Sequence, residues 1–379
     1  MQKLLGELLP LYGRGEARAI LRVLVEDLCG VSWGRFVCER EPLEALTAEG
    51  RERLLVALGR VGRGEPVQHV LGYGEFCGRR FRVTGETLIP RVETEGLVRW
   101  VAEECTWADS ACGARTVAMS GRNFGAVAGM DLETAPGKDL DMETAAGVET
   151  ASSSVKILDI GTGTGCIGIT LALEVAGARV TGLDVSEGAL EVARGNWERL
   201  KAEGAEEVRF VKGDALRLGE DFLGDEIAVG GGGGQGEGWC GGETGSTGGG
   251  GKAGNWCAGD ADAGGGGERL DGEWDVIVSN PPYICAGEAA EMHRNVLEHE
   301  PHPALFVPDE DPLLFYRAIG RYGLVALRDG GRLYFELNRA YAEETAEMLR
   351  GMGYVEVEVR EDLFGNKRML RGRKKRNFG

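Results

Sequence analysis

The sequence predicts an open α/β fold: a parallel sheet with a ligand site at its strand ends, joined to a small helical domain. Three observations predict it. The short apolar run Trp274-Asp275-Val276-Ile277-Val278 stops at Asn280-Pro281-Pro282-Tyr283, as a strand buried on both faces does when consecutive prolines remove its N–H donors. A second run, Val155 to Ile160, passes directly into Gly161-Thr162-Gly163-Thr164-Gly165, the kind of turn that lets backbone approach a nucleotide-like ligand before a helix begins. Strand and helix patterns then alternate to the end of the chain, the order that builds a parallel sheet.

Residues 1–65 carry apolar residues at helical spacing, as in Ala19, Leu21, Val23, Leu24 and Leu28, and again in Leu54, Leu55, Leu58 and Val61. They predict a helical bundle with Thr47 as a helix cap and Gly30, Gly62 and Gly64 as helix ends. Residues 66–91 change period. Gln68 to Phe76 and Arg80 to Val83, around Cys77-Gly78-Arg79, read as a β-hairpin linker. Pro90 to Glu95 opens a helix whose apolar face is Leu97, Val98 and Val101. Arg91 there can approach an acidic ligand group or pair with Glu93.

Residues 92–379 form the α/β domain, with disordered insertions expected at 105–154 and 224–271. In the first, Gly129 to Ala135 recurs loosely as Asp139 to Ala145, and small, acidic residues bury too little surface to offset ordering entropy. In the second, glycine tracts surround Trp239-Cys240 and Trp256-Cys257, a composition of flexible linkers. Between them the strand Arg179 to Leu183 ends at Asp184, about twenty residues beyond the glycines, where an acid accepts from ribose hydroxyls. The strand Val208 to Val211 ends at Lys212-Gly213-Asp214, where an acid can reach an adenine amino group. Taken singly, either aspartate is accounted for equally well as a helix cap or turn residue. After Tyr283 come a loop through Glu298-His299-Glu300-Pro301-His302-Pro303, a helix from Pro312 to Leu327, a strand from Gly331 to Leu337, a helix over 342–352, and strands over 355–359 and 368–370. The basic end, Arg371, Arg373 and Lys374 to Arg376, reads as a solvated tail.

The strand end at Asn280 carries the chemistry. The Asn280 side-chain oxygen and the Pro281 carbonyl can accept both hydrogens of a planar NH2 group while Tyr283 stacks on its face. The target is an amide or amino nitrogen; the structural alternative is a turn that merely closes the strand. A formal net charge of −18 argues against electrostatic capture of DNA, which depends on Lys and Arg neutralising phosphates. The nine cysteines include no Cys-x-x-Cys pair, which points to free thiols in a reducing compartment rather than to disulfides or zinc. His299 and His302 lie among prolines that spoil ligand geometry, so no metal is expected. With neither a membrane-length apolar stretch nor a signal-peptide pattern, a cytoplasmic protein is expected.

Taken in order, Leu88-Ile89-Pro90-Arg91-x-Glu93-Thr94-Glu95, Asp159 to Gly165, Asp184, Asn280 to Tyr283 and Glu300-Pro301-x-Pro303-Ala304-Leu305 resemble the motifs of the peptide chain release factor glutamine methyltransferases. The resemblance spans the chain outside the two insertions. It implies a class I methyltransferase domain with a Rossmann-like, seven-stranded sheet whose last strand is antiparallel, and S-adenosyl-L-methionine as cofactor. It further implies methyl transfer to the side-chain amide N5 of the glutamine in the Gly-Gly-Gln motif of release factors, the protein partner, with neither membrane nor stable nucleic-acid binding. Carried onto matching positions, Gly161, Thr162, Gly163, Thr164 and Gly165 hold the methionine portion and Asp184 the ribose, while Asp214 and Ala215 border the adenine. Asn280, Pro281, Pro282 and Tyr283 receive the glutamine, with Asn280 also beside the cofactor. The family's large aromatic after the Asp214-type acid is Ala215 here, and the second proline of its Pro-Arg loop is Val92. Three other readings share parts of the pattern. Adenine-N6 methylation of nucleic acid makes the same demand on an exocyclic NH2. A nicotinamide dehydrogenase accounts for Gly163 to Gly168 and Asp184 but not for Asn280 to Tyr283. A non-catalytic binding module follows if the insertions close the cleft.

Overall fold

Residues 2–39 and 41–61 form a helical unit because each helix has one apolar stripe to bury. Helices α1 (Gln2–Gly6), α2 (Arg14–Cys29), α3 (Trp33–Cys38) and α4 (Ala48–Val61) enclose Leu8, Leu21, Leu24, Phe36, Leu54 and Leu58. Thr47 caps α4, its Oγ1 accepting the Gly50 N–H at 3.0 Å, and Gly30 closes α2 with φ +64°. This is a computed structural model, and it describes residues 2–39, 41–110, 154–201, 208–218 and 274–376. The insertion expected over 224–271 lies outside the described residues.

The linker departs from expectation at its start. Gln68 to Leu71, read as strand, belong to helix α5 (Val67–Leu71), entered from Pro66 and closed by Gly72 with φ +79°. Strand propensity there yields to a helix start fixed by proline and a stop fixed by glycine. The hairpin is shorter: β1 (Tyr73–Phe76) pairs antiparallel with β2 (Arg79–Arg82). Cys77 and Gly78 turn it with φ +46° and +71°, as a two-residue hairpin whose twist matches its strands requires.

Helix α6 (Val92–Ser110) continues past Cys105, which is buried. Regular structure thus extends beyond the expected start of the first insertion, because Cys105 adds to the face formed by Leu97, Val98 and Val101. The rest of that insertion, up to Ser153, lies outside the described residues.

The α/β unit follows in order: β3 (Val155–Ile160), α7 (Cys166–Glu174), β4 (Ala178–Asp184), α8 (Glu187–Leu200), β5 (Val208–Lys212), β6 (Trp274–Ser279), β7 (Ile284–Cys285), α9 (Arg294–His299), β8 (Phe306–Val307), α10 (Leu314–Ala326), β9 (Leu327–Glu336), α11 (Ala342–Met352), β10 (Val355–Glu361) and β11 (Lys367–Arg373). Among the described residues the main sheet has seven strands in the order β10-β11-β9-β6-β3-β4-β5, with β11 antiparallel to both neighbours and the other pairs parallel. This is the class I methyltransferase sheet expected above.

From β3 the chain builds outward through β4 to β5, then returns to place β6 on the other side of β3. Ligands bind at the carboxyl ends beside such a reversal. Register brings those ends into line, with Ile160 opposite Leu183 and Ser279, and Ser279 opposite Phe335.

Two details of the carboxyl-terminal half differ from the pattern read in sequence. Strand β9 begins at Leu327, where a helix end was expected, and a register shift between Trp274 and Val276 sets Arg328 to Gly331 opposite the single residue Asp275. Arg371 and Arg373 lie in β11 rather than in a solvated tail. Arg371 bonds to Glu104 and, at 2.7 Å, to Glu358. The strand faces two acidic neighbours, so the charges are paired instead of exposed.

Candidate active site

The glycine turn is shaped by three positive backbone angles, φ +73° at Gly161, +53° at Gly163 and +79° at Gly165. L side chains rarely adopt these. A Cβ at Gly165 would stand 2.7 Å from Ile169 Cδ1, whereas one at Gly163 would meet nothing within 4 Å. The turn is therefore closed toward α7 and open on its other side. Asp184, at the end of β4, pins it: Oδ2 accepts the Gly163 N–H at 2.8 Å and Oδ1 the Ser186 N–H at 3.0 Å. Burial raises the Asp184 carboxyl above the ordinary aspartate value, while these N–H groups pull it back.

Below the turn lies a fully buried carboxylate with a definite gap. Asp159 Oδ2 accepts from the Thr162 hydroxyl at 2.7 Å and from the Gly168 N–H at 3.0 Å, but Oδ1 has no partner. Burial pushes its carboxyl up to about 6.

An orphaned carboxylate oxygen beside an open glycine turn, with a second acid one strand over, fits S-adenosylmethionine. That molecule brings a cationic amine and two ribose hydroxyls. On the far side, Asp214 Oδ1 accepts the Leu216 N–H at 2.9 Å, and Ala215 packs half-buried against Cys285, Val307 and Phe315.

Asn280 adjoins this turn, its carbonyl oxygen 3.9 Å from where a Gly161 Cβ would stand. The Ser279 hydroxyl locks the end of β6 to β3 by donating to the Ile160 carbonyl at 2.7 Å. Asn280 Nδ2 donates to Thr94 Oγ1 at 3.5 Å, and the Thr94 hydroxyl in turn donates to Glu336 Oε2. The Tyr283 hydroxyl donates to the other oxygen, Oε1, at 3.0 Å. Glu336, ending β9 and 2% exposed, thus ties both ends of the Asn280-to-Tyr283 segment to helix α6. Burial raises its carboxyl, and burial together with this carboxylate drives the Tyr283 phenol far above its ordinary value. Tyr283 is consequently a neutral donor. Its carbonyl accepts from Asn338 Nδ2 at 3.0 Å, and Tyr316 links the Asn338 N–H to the Glu336 carbonyl.

The loop before α6 is held from 209 residues away. Glu300 accepts the Ile89 N–H at 3.1 Å through Oε2 and pairs with Arg91 through Oε1. Arg91 therefore pairs with Glu300 rather than with Glu93. Sequence reasoning selected the glycine turn, Asp184 and Asn280 to Tyr283, and the fold brings them to the carboxyl ends of neighbouring strands. It gave no role to Thr94, Glu300, Glu336 or Asn338. Glu336 was visible by the signal that picked out Asp184, an acid ending an apolar strand.

Comparison with known proteins identifies the family. A model described as the PrmC N-terminal domain matches residues 5–72, and one described as a methyltransferase domain matches residues 151–228. The chain is similar to the release factor glutamine methyltransferase of Bacteroides thetaiotaomicron, at 32% identity over 95% of this chain and 94% of that one. It is 33% identical to that of Chlorobaculum tepidum over 84% and 76% of the respective chains. A solved protein-(glutamine-N5) methyltransferase from Alicyclobacillus acidocaldarius aligns at 20% identity and a TM-score of 0.28 over 60% of this chain and 84% of that one. Family membership rests instead on the first two relatives, which exceed 30% identity over most of both chains, and by their measure the chain belongs to the release factor glutamine methyltransferases.

Proposed function

We propose that the chain transfers the methyl group of S-adenosyl-L-methionine to the side-chain amide N5 of the glutamine in the Gly-Gly-Gln motif of peptide chain release factors, in the cytoplasm. The observation that carries this reading is the contact between Asn280 and Thr94. With Nδ2 turned to the threonine, Oδ1 remains to accept one substrate N–H, and the Pro281 carbonyl is the acceptor for the other. A group offering two such hydrogens on one planar nitrogen is a primary amide or an exocyclic amine.

An amide nitrogen is a weak nucleophile because its lone pair is delocalised into the carbonyl. Accepting both hydrogens draws the nitrogen toward a pyramidal shape and fixes the direction of its lone pair, so positioning supplies much of the acceleration. The cofactor, when bound, supplies an electrophilic methyl group on a sulfonium. Gly161, Thr162, Gly163, Thr164, Gly165 and Asp184 would hold it, with Asp159 beneath the turn and Asp214 and Ala215 on the adenine side. Tyr283, kept neutral and fixed by Glu336, lays its ring beside the amide. The methylated nitrogen is strongly acidic and releases its proton to water, so the site needs no residue poised as a base.

The test is incubation with radiolabelled S-adenosylmethionine and, separately, a release factor, the same factor with the glutamine of Gly-Gly-Gln replaced by alanine, and DNA. Label on the intact factor alone is expected. Label on the alanine form or on DNA overturns the assignment.

A further inference from the structure

The hairpin joining β10 to β11 presents two large apolar side chains to solvent. Leu363 is 82% exposed and Phe364 71%, more than any other large apolar residue among those described. The tip that carries them is tightly built. Asp362 Oδ1 accepts the N–H groups of Phe364 at 2.8 Å and Asn366 at 2.9 Å, its N–H bonds to the Asn366 carbonyl at 2.8 Å, and Gly365 closes the turn at φ +78°. The exposure is thus a fixed feature of the fold, and a preorganised apolar tip suits a partner because little order remains to be gained on contact.

The tip overhangs a groove whose other wall is the start of α6, with Val92, Gly96 and Trp100 on one side and Phe364 on the other. This groove stands at the same carboxyl end of the sheet as the acceptor site. Val92 and Glu93 directly precede Thr94, which holds Asn280. The Leu337 N–H, next after Glu336, bonds at 2.8 Å to the Arg368 carbonyl at the base of the same hairpin. The lining is acidic, with Glu93, Glu95, Glu103 and Glu361 against Arg99 and Arg360. Arg360 is engaged by the Trp100 ring and by Glu358.

We propose that this groove docks the protein substrate itself, through a surface of the release factor that flanks its glutamine loop and sets a basic side chain beside an apolar one. The inference rests on the reaction assigned above. A glutamine side chain offers little surface by which one protein can be told from another, so selection must come from contacts outside the acceptor site. A loop seated on Asn280 brings its own domain to the carboxyl end of the sheet, the end at which this hairpin stands.

The experiment is steady-state methylation of the intact factor by the wild type, by a Leu363→Ser/Phe364→Ser variant and by Glu361→Lys, with melting and sedimentation of each. The KM for the factor is expected to rise at least tenfold in the double variant. It should rise several-fold in Glu361→Lys, most at low salt, with kcat and the KM for S-adenosylmethionine within twofold of wild type. A KM for the factor unchanged in both variants overturns the docking, as does a parallel rise in the KM for S-adenosylmethionine, which would make the hairpin a support of the cofactor pocket. A wild-type dimer broken by the double variant assigns the groove to a second copy of this chain and also overturns it. Absence of label from the factor with wild type overturns the underlying reaction before any variant is compared.

Discussion

Replacing Glu336 by Gln keeps the shape of the side chain and removes its charge. In the native site one carboxylate oxygen accepts from Thr94 and the other from Tyr283. Glutamine offers one carbonyl oxygen, and its NH2 must face a hydroxyl that no longer has an acceptor. A hydrogen bond to a charged group contributes about 1.5–3 kcal/mol and a neutral one about 0.5–1.5 kcal/mol. Losing one and weakening the other removes about 2.5–4.5 kcal/mol of the restraint on Asn280 and Tyr283, or about 70- to 2,000-fold in rate if the loss falls on the transition state. The fold should not suffer equally, because removing a buried charge also removes its desolvation cost. The expected result is a kcat lower by about 70- to 2,000-fold, cofactor affinity within twofold, and a Tm equal to or above wild type.

The pH profile separates positioning from general damage. Burial raises the Glu336 carboxyl, so wild-type kcat should fall as the pH drops through that raised value and both hydroxyls lose a charged acceptor. The Gln variant should lack this limb. A kcat within twofold of wild type, or an unchanged acid limb, would refute the reasoning.

Three further predictions follow from the same geometry. Asn280→Ala removes one of the two acceptors for the substrate amide and should lower kcat by about 10²- to 10³-fold while leaving cofactor binding by calorimetry within threefold; retained turnover counts against the assignment. Gly165→Ala forces a side chain into φ +79° and within 2.7 Å of Ile169. It should cost about 1–2 kcal/mol from the left-handed backbone alone and weaken cofactor binding, and an unchanged Tm in differential scanning calorimetry would contradict it. Asp159 has a folded-state value raised from 3.8 to about 6, so its contribution to stability is full below pH 3.8 and declines as the pH rises to about 6. That interval is worth about 3 kcal/mol. Urea unfolding of the cofactor-free protein at pH 4 and pH 7 should show a smaller loss in Asp159→Asn than in wild type, and equal losses would show that burial does not shift this group.

Sequence by itself determined the local elements of the site. Consecutive prolines after an apolar run can only end a strand, alternate glycines after one can only turn it tightly, and an acid at a strand end stands where ligands bind, so Asp184 and Asn280 were legible without coordinates. Short-range rules gave way only where they compete. Gln68 to Leu71 form a helix because Pro66 and Gly72 bound them, and Arg371 lies in a strand because Glu104 and Glu358 stand beside it. What the tertiary structure alone decided is which distant side chains act together. Thr94 meets Glu336 across 242 residues, Tyr283 meets it across 53, and Glu300 reaches the Ile89 loop across 211. No periodicity encodes such pairs, because a hydrogen bond depends on separation in space, and sheet order and register fix that separation only when the strands assemble.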